Sequence, residues 1–190
     1  MEMASFITPG AGGLPKVDLV TADGSAARIY LHGAHVASWI PAGGEERLFL
    51  SHRAEYQAGK TIRGGIPVVF PQFSGFGPLL KHGFARALPW ELIDVRTGPQ
   101  AAARLRLVDS AETRAIWPHA FSADLTATLG GQILAVELAI ANPGPAPFSF
   151  TAALHTYLAV DDIHATAVEG LAGLRYLDAA AGGVEAMDNE

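Results

Sequence analysis

Cysteine is missing from all 190 residues. Its absence excludes disulfides, thiolate nucleophiles and zinc–cysteine centres together. It also suits a reducing compartment. Basic runs are missing too. The formal net charge is −6, from 13 Lys and Arg against 19 Asp and Glu. A chain that neutralises a phosphate backbone carries the opposite balance, so nucleic acid is not an expected partner. No apolar run reaches the ~20 residues of a membrane-spanning helix. The opening residues, MEMASFITPGAGGLP, hold neither a positive leader nor an apolar h-region, so they do not read as a secretory signal. The expectation is a cytoplasmic protein without membrane contact. No glycine pattern matches a dinucleotide fingerprint or a P-loop, and no Gly-x-Ser-x-Gly elbow occurs.

What is present is apolar and patterned. Hydrophobic residues make up 49% and charged residues 17%, which fits a folded domain and argues against disorder. The pattern is mostly two-residue alternation, the mark of strands. Strands are expected at Ala27–Leu31, Val36–Ile40, Arg47–Leu50, Trp90–Val95, Ala102–Val108, Ala123–Leu129 and Gln132–Ala141. The longest is expected at Phe148–Val160. Gly130-Gly131 offers the positive φ angles of a tight hairpin. Only Ala54–Gly59 and Asp109–Ala115 have room for a turn or two of helix. Regular turn signals point to an all-β, mostly antiparallel sandwich or barrel in a single domain, 1–190. Residues 1–13 and 179–190 read as mobile ends.

One stretch breaks the alternation. From Lys60 to Arg86 the chain is dense in Gly and Pro, yet it holds Arg63, Lys81, His82 and Arg86. Long irregular segments inside compact domains are uncommon and often functional. Arginine forks match phosphate oxygens, so Arg63, Lys81 and Arg86 become anion ligands if the loop folds back on itself. Solvated loop charges are the commoner reading of such residues. His155 alternates with Thr151, Ala153 and Tyr157 on one face of its strand, opposite Phe148, Phe150, Ala152 and Leu154. That places it on the floor of a polar cleft, where histidine suits proton transfer near neutrality. An ordinary strand histidine fits the same pattern. His82 either meets a substrate hydroxyl or satisfies a loop carbonyl. His32 and His35, three apart, fall on opposite faces of an extended strand and have no third clustered ligand, so no metal site is expected. Asp161-Asp162 reads as a turn.

Three segments together carry a resemblance: Ile62-Arg-Gly-Gly-Ile-Pro-Val-Val-Phe-Pro-Gln-Phe; Lys81-His-Gly-Phe-Ala-Arg with Trp90-Glu-Leu; and Phe148-Ser-Phe-Thr-Ala-Ala-Leu-His-Thr-Tyr-Leu, followed by Val168-Glu-Gly-Leu-Ala-Gly and Tyr176-Leu-Asp. In that order and spacing they resemble the hexose-6-phosphate mutarotases, also called glucose-6-phosphate 1-epimerases, over about residues 31–178. The resemblance implies a galactose-mutarotase-like β-supersandwich. It implies interconversion of the α and β anomers of a hexose 6-phosphate by acid/base ring opening, with neither cofactor nor metal. It assigns His155 as the catalytic general acid and Arg63 and Arg86 as substrate-binding residues at the phosphate. Lys81 stands where the family often has a substrate-binding glutamine, and His82 lines the same motif. Two family features have no match here: a downstream glutamate that serves as base and an aspartate that binds the sugar. Glu185 and Glu190 sit in no comparable context. The expectation is therefore a fold incomplete at its C-terminal side, with an open edge or apolar face. Its activity is expected to be weak, or reduced to non-catalytic binding of a sugar phosphate.

Overall fold

The computed structural model describes residues 3–178 and 181–188. The expectations placed on residues 1–2, 179–180 and 189–190, Glu190 included, fall outside them. The chain divides into two compact units, 1–159 and 160–190.

The first unit contains two four-stranded antiparallel sheets, each in sequential order. One is built from β1 (Ile7–Pro9), β2 (Pro15–Val20), β3 (Ala26–Tyr30) and β4 (His35–Ile40). A two-residue strand, β5 (Val68–Val69), follows after a long irregular passage. The other sheet is built from β6 (Glu91–Arg96), β7 (Ala101–Val108), β8 (Ser122–Gly130) and β9 (Ile133–Ala141). The fold is the expected antiparallel β-sandwich. Alternation explains why the sheets stack. Val17 and Leu19 of β2 and Ile29 of β3 face inward, while Asp18 and Arg28 pair on the outer face. On β8, Ala123, Leu125, Ala127 and Leu129 are fully buried, and Asp124 meets Arg106 of β7 outside at 2.6 Å. β2 lies against β7, and the inward side chains of both sheets share one core. Burying each Val, Leu or Ile of this set contributes roughly 1.5–3 kcal/mol.

The hairpin between β8 and β9 turns on Gly131, whose φ is +58°, rather than on both glycines of the pair. The Ser25 hydroxyl donates to the Gly131 carbonyl at 2.6 Å, and the Gln132 amide donates to the Ala42 carbonyl at 2.8 Å, so the turn is tied to the opposite sheet. Among the described residues β9 pairs with β8 alone. Its inward residues Leu134, Val136, Leu138 and Ile140 are half-buried, and the alternate residues are exposed. Beside Leu134 and Val136, an apolar groove of about 240 Å³ is floored by Trp39, Ile66 and Leu154.

Helix forms at α1 (Ala111–Ile116), where Ser110 and Thr113 make a reciprocal capping box. Ala54–Gly59 forms no helix; Tyr56 packs its ring 5.3 Å from Tyr30 instead. The long strand expected at Phe148–Val160 shrinks to β10 (Ala153–Leu154), paired with β5. The rest of that stretch is still held by backbone bonds from Thr151, His155 and Tyr157 to the carbonyls of Pro71, Pro67 and Gly65. Two of these acceptors are prolines, which have no N–H to return, so a continuous ladder cannot form.

The second unit holds a 3-10 turn at Ile163–Ala165 and a hairpin of β11 (Arg175–Asp178) and β12 (Val184–Met187). Asp162 accepts from the His164 amide at 2.9 Å, the turn its sequence suggests. Glu185 pairs with Arg175 across the hairpin at 2.8 Å. No described residue of this unit is fully buried.

Candidate active site

The site is built on the passage from Lys60 to Phe70. Arg63 is exposed, while Ile62 and everything from Gly64 to Phe70 is buried. Gly64 and Gly65 have φ of +98° and +61°, the left-handed region that side chains avoid. They are also pressed against neighbouring backbone. A Cβ on Gly64 would lie 2.3 Å from the Phe49 carbonyl oxygen, and one on Gly65 would lie 2.3 Å from that of Val36. The glycine pair thus lets the chain bend tightly over the interior and leaves Arg63 outside. Its carbonyl accepts from the Ser51 amide at 3.1 Å, and the Gly65 amide donates to Phe49 at 2.7 Å.

Arg63 and Arg86 line one cavity of about 850 Å³, together with Tyr157, Pro67, Arg53, Glu55 and Lys60. Of the three cations Arg63, Lys81 and Arg86, the fold brings Arg63 and Arg86 to one cavity. Arg86 sits in a short 3-10 turn, Ala85–Ala87, and donates to the Lys81 carbonyl at 2.7 Å. Burial pulls its guanidinium down from the usual value, and Tyr157 opposes that shift. Lys81 reaches this arrangement through its backbone; its side chain is exposed and is not part of the cavity lining.

His155 follows β10 directly. Its amide donates to Pro67 at 3.0 Å, and its ring stacks on Tyr157 with centroids 4.9 Å apart. His155 and Tyr157 share a face, as the alternation suggests, and Tyr157 connects the histidine to the cavity wall. His82 presents its ring edge-on to His155 at 5.5 Å. Its φ is +69°, and its Nδ1 accepts from the Ser74 amide at 3.1 Å. Burial, then the charges of Arg86, His155 and Lys81, push His82 below the ordinary histidine range. That shift favours the neutral ring, whose hydrogen is then on Nε2 because Nδ1 is an acceptor. Phe73 covers the other side of His82 at 5.5 Å, and the Phe73 amide donates to the Thr151 hydroxyl at 2.7 Å.

Three lining residues escape a reading by motif. Lys60 opens the flagged segment, but Arg53 and Glu55 come from an unpatterned turn. Only the closeness of their chain to Arg63, through the bond between Ser51 and Arg63, brings them in. His32 and His35 are buried beneath the passage. Among the described residues no three His, Asp or Glu side chains cluster as metal ligands.

The family described as "Aldose 1-epimerase" matches residues 15–189. A protein of Cenchrus ciliaris named "Putative glucose-6-phosphate 1-epimerase" is 42% identical over 175 residues, covering 87% of this chain and 53% of its own length. An Escherichia coli K12 protein with the same name is 39% identical over 173 residues, covering 87% and 56%. The chain thus spans about half the length of these relatives. A crystal structure from Salmonella typhimurium, described as "a putative mutarotase (YeaD)", superposes with a TM-score of 0.85 at 30% identity. It covers 98% of this chain and 62% of that one. The Slr1438 protein of Synechocystis superposes with a TM-score of 0.69 at 29% identity, covering 86% and 60%.

Proposed function

The chain belongs to the aldose 1-epimerase family, and from that premise we propose that its cavity takes a hexose 6-phosphate and helps interconvert the α and β anomers. One observation carries this reading. Arg63 and Arg86 line a single cavity whose wall includes Tyr157, the residue on which His155 stacks. Arg53 and Lys60 add two more cations to that lining, in a protein of net charge −6. Guanidinium forks donate two parallel bonds to phosphate oxygens, which makes the arginine end of the cavity the phosphate end.

Anomer exchange needs a proton delivered to the ring oxygen and another taken from the C1 hydroxyl. The ring then opens, C1 rotates, and either face closes. His155 delivers the proton as general acid. The neutral His82, with hydrogen on Nε2, donates to a sugar hydroxyl and fixes the ring's orientation. Lys81 acts through its carbonyl, which aims the Arg86 guanidinium. The resemblance gives the base role to a glutamate outside the matched motifs. A binding-only role is favoured by one feature: among the described residues Glu55 is the sole carboxylate lining the cavity, and it is exposed.

NMR exchange between the anomers of glucose 6-phosphate separates these readings. The chain accelerates exchange, and His155→Ala removes about 10²–10⁴-fold of that acceleration. No acceleration, alongside tighter binding of glucose 6-phosphate than of glucose, establishes the binding-only role. Equal, weak binding of both sugars sinks the phosphate assignment.

A further inference from the structure

The His32-Gly-Ala-His35 link is a sequence feature that the proposed chemistry leaves unused. Both imidazoles are buried in the unit that carries the cavity, with exposures of 4% and 1%. Each touches the passage that presents Arg63. The His32 Nε2 lies 2.6 Å from the Lys60 carbonyl oxygen. A carbonyl only accepts, so this nitrogen carries the hydrogen and donates it. At the other end, Gly65 rests on His35 so closely that a Cβ there would lie 2.7 Å from the imidazole Nε2. The adjoining Val36 carbonyl accepts from the Ile66 amide at 2.9 Å. Among the described residues the His35 Nε2 has no partner at good hydrogen-bond geometry, and this ring supports the glycine by contact. The two histidines therefore brace the two ends of a six-residue span, 60–65, with Arg63 between them.

Arg63 needs such bracing. Among the described residues its side chain forms neither a hydrogen bond nor an ion pair. Arg86, by contrast, is steadied by the Lys81 carbonyl. Only backbone geometry fixes where the Arg63 side chain begins. A shift of about 1 Å in a group that grips substrate is enough to cost large factors in binding or rate. We infer that His32 and His35 are positioning residues, which hold the 60–65 span so that Arg63 meets the anionic group of the substrate. This rests on the phosphate reading of the cavity and adds how that contact is kept in place.

The test is calorimetric titration of the full chain with glucose 6-phosphate and with glucose, together with amide hydrogen exchange at Gly65. Wild type prefers glucose 6-phosphate, and Arg63→Ala loses the preference. His32→Leu removes the donor to Lys60. It weakens glucose 6-phosphate binding by about tenfold or more, leaves glucose binding unchanged, and speeds exchange at the Gly65 amide. His32→Gln, which keeps a donor, restores binding to within about threefold of wild type. Wild-type affinity for glucose 6-phosphate in His32→Leu overturns the inference. So does an equal loss of both sugars that His32→Gln fails to rescue. If His32→Leu does not fold, His32→Asn decides, since its shorter side chain stays polar but falls short of Lys60. Unchanged phosphate preference in that variant overturns the inference equally. A wild type without any preference, matched by Arg63→Ala, sinks the phosphate reading first and this inference with it.

Discussion

Residues 60–70 and 71–86 adjoin in sequence and share a Gly- and Pro-rich composition. Each brings an arginine to the same cavity. Their physical states differ. The first passage is buried from Gly64 to Phe70 and lies within van der Waals distance of the Phe49 and Val36 backbones. The second passes through an exposed arc: Phe76 is 65% and Leu80 78% exposed, and Gly75 has nothing within 4 Å of where a Cβ would stand. It returns to the interior only at Gly83–Ala85. The first is a floor and the second a rim. Composition marks both as irregular, but only what lies beneath decides which of them is rigid. One cation is mounted on each: Arg63 on a firm backbone, Arg86 beyond a looser arc with its guanidinium held by the Lys81 carbonyl.

The strongest way to break this comparison is to exchange its glycines. Gly65→Val drives a side chain into the Val36 carbonyl and His35 at a φ of +61°. It is expected to cost more than about 4 kcal/mol, enough to abolish cooperative unfolding in urea. Gly75→Ala is expected to stay within about 0.5 kcal/mol. Comparable losses in both variants would erase the distinction. The aromatics give the next contrast. Phe70 contacts Phe84, Trp117, Phe121 and Phe150 at ring distances of 5.2–6.4 Å. Phe70→Ala should cost about 3–5 kcal/mol in a urea melt. Phe76→Ala should shift the midpoint little.

Acid sharpens the same contrast. Burial, aided by the charge of His32 and opposed by the Gly64 backbone, pushes the His35 imidazole down to about 3. The unfolded chain takes up this proton near pH 6.5, and the folded chain resists it. The stabilising contribution is therefore complete above about pH 6.5 and is lost as pH falls, at about 1.4 kcal/mol per pH unit, flattening near pH 3. Melts of His35→Gln between pH 7 and 4 should show a shallower slope than wild type. His82 is also held low, so its effect has the same sign. It lies on the rim, and His82→Gln should leave the slope nearly unchanged. The smallest effect belongs to Lys81→Ala. Only the Lys81 backbone engages Arg86, so affinity for glucose 6-phosphate should stay within about twofold of wild type. A tenfold loss in that titration would move Lys81 into the direct contacts.

Much of the architecture is readable from alternation alone. β3, β4 and β6–β9 stand within a residue or two of where the two-residue period places them, because each has one face in a dry core. β2 is harder to read. Its alternation is confined to Val17 and Leu19 and opens on Pro15 beside a glycine pair. The length of the strand around His155 is not readable locally, since the prolines that interrupt its pairing lie 80 and 88 residues before the residues they bond. Motifs identify Arg63, Arg86, His82 and His155, and the structure brings them to one side of the first unit. The work of His32 and His35 is invisible to pattern because each acts on a carbonyl or a glycine, groups with no side-chain signature.

The nine-residue edge of β9 bears on how copies of the protein can associate. Among the described residues its outer backbone donors and acceptors meet no further strand, and its one charged side chain, Glu137, stands at its midpoint. When two such edges meet antiparallel and centred, Glu137 faces its own copy, and that like-charge encounter is the edge's built-in brake on pairing. Salt at ~0.1 M weakens this repulsion only in part, because the two carboxylates would meet well inside the ~10 Å screening length. The carboxylate therefore keeps opposing edge pairing in ordinary buffers, and Glu137→Val is expected to raise the light scattering of a concentrated solution.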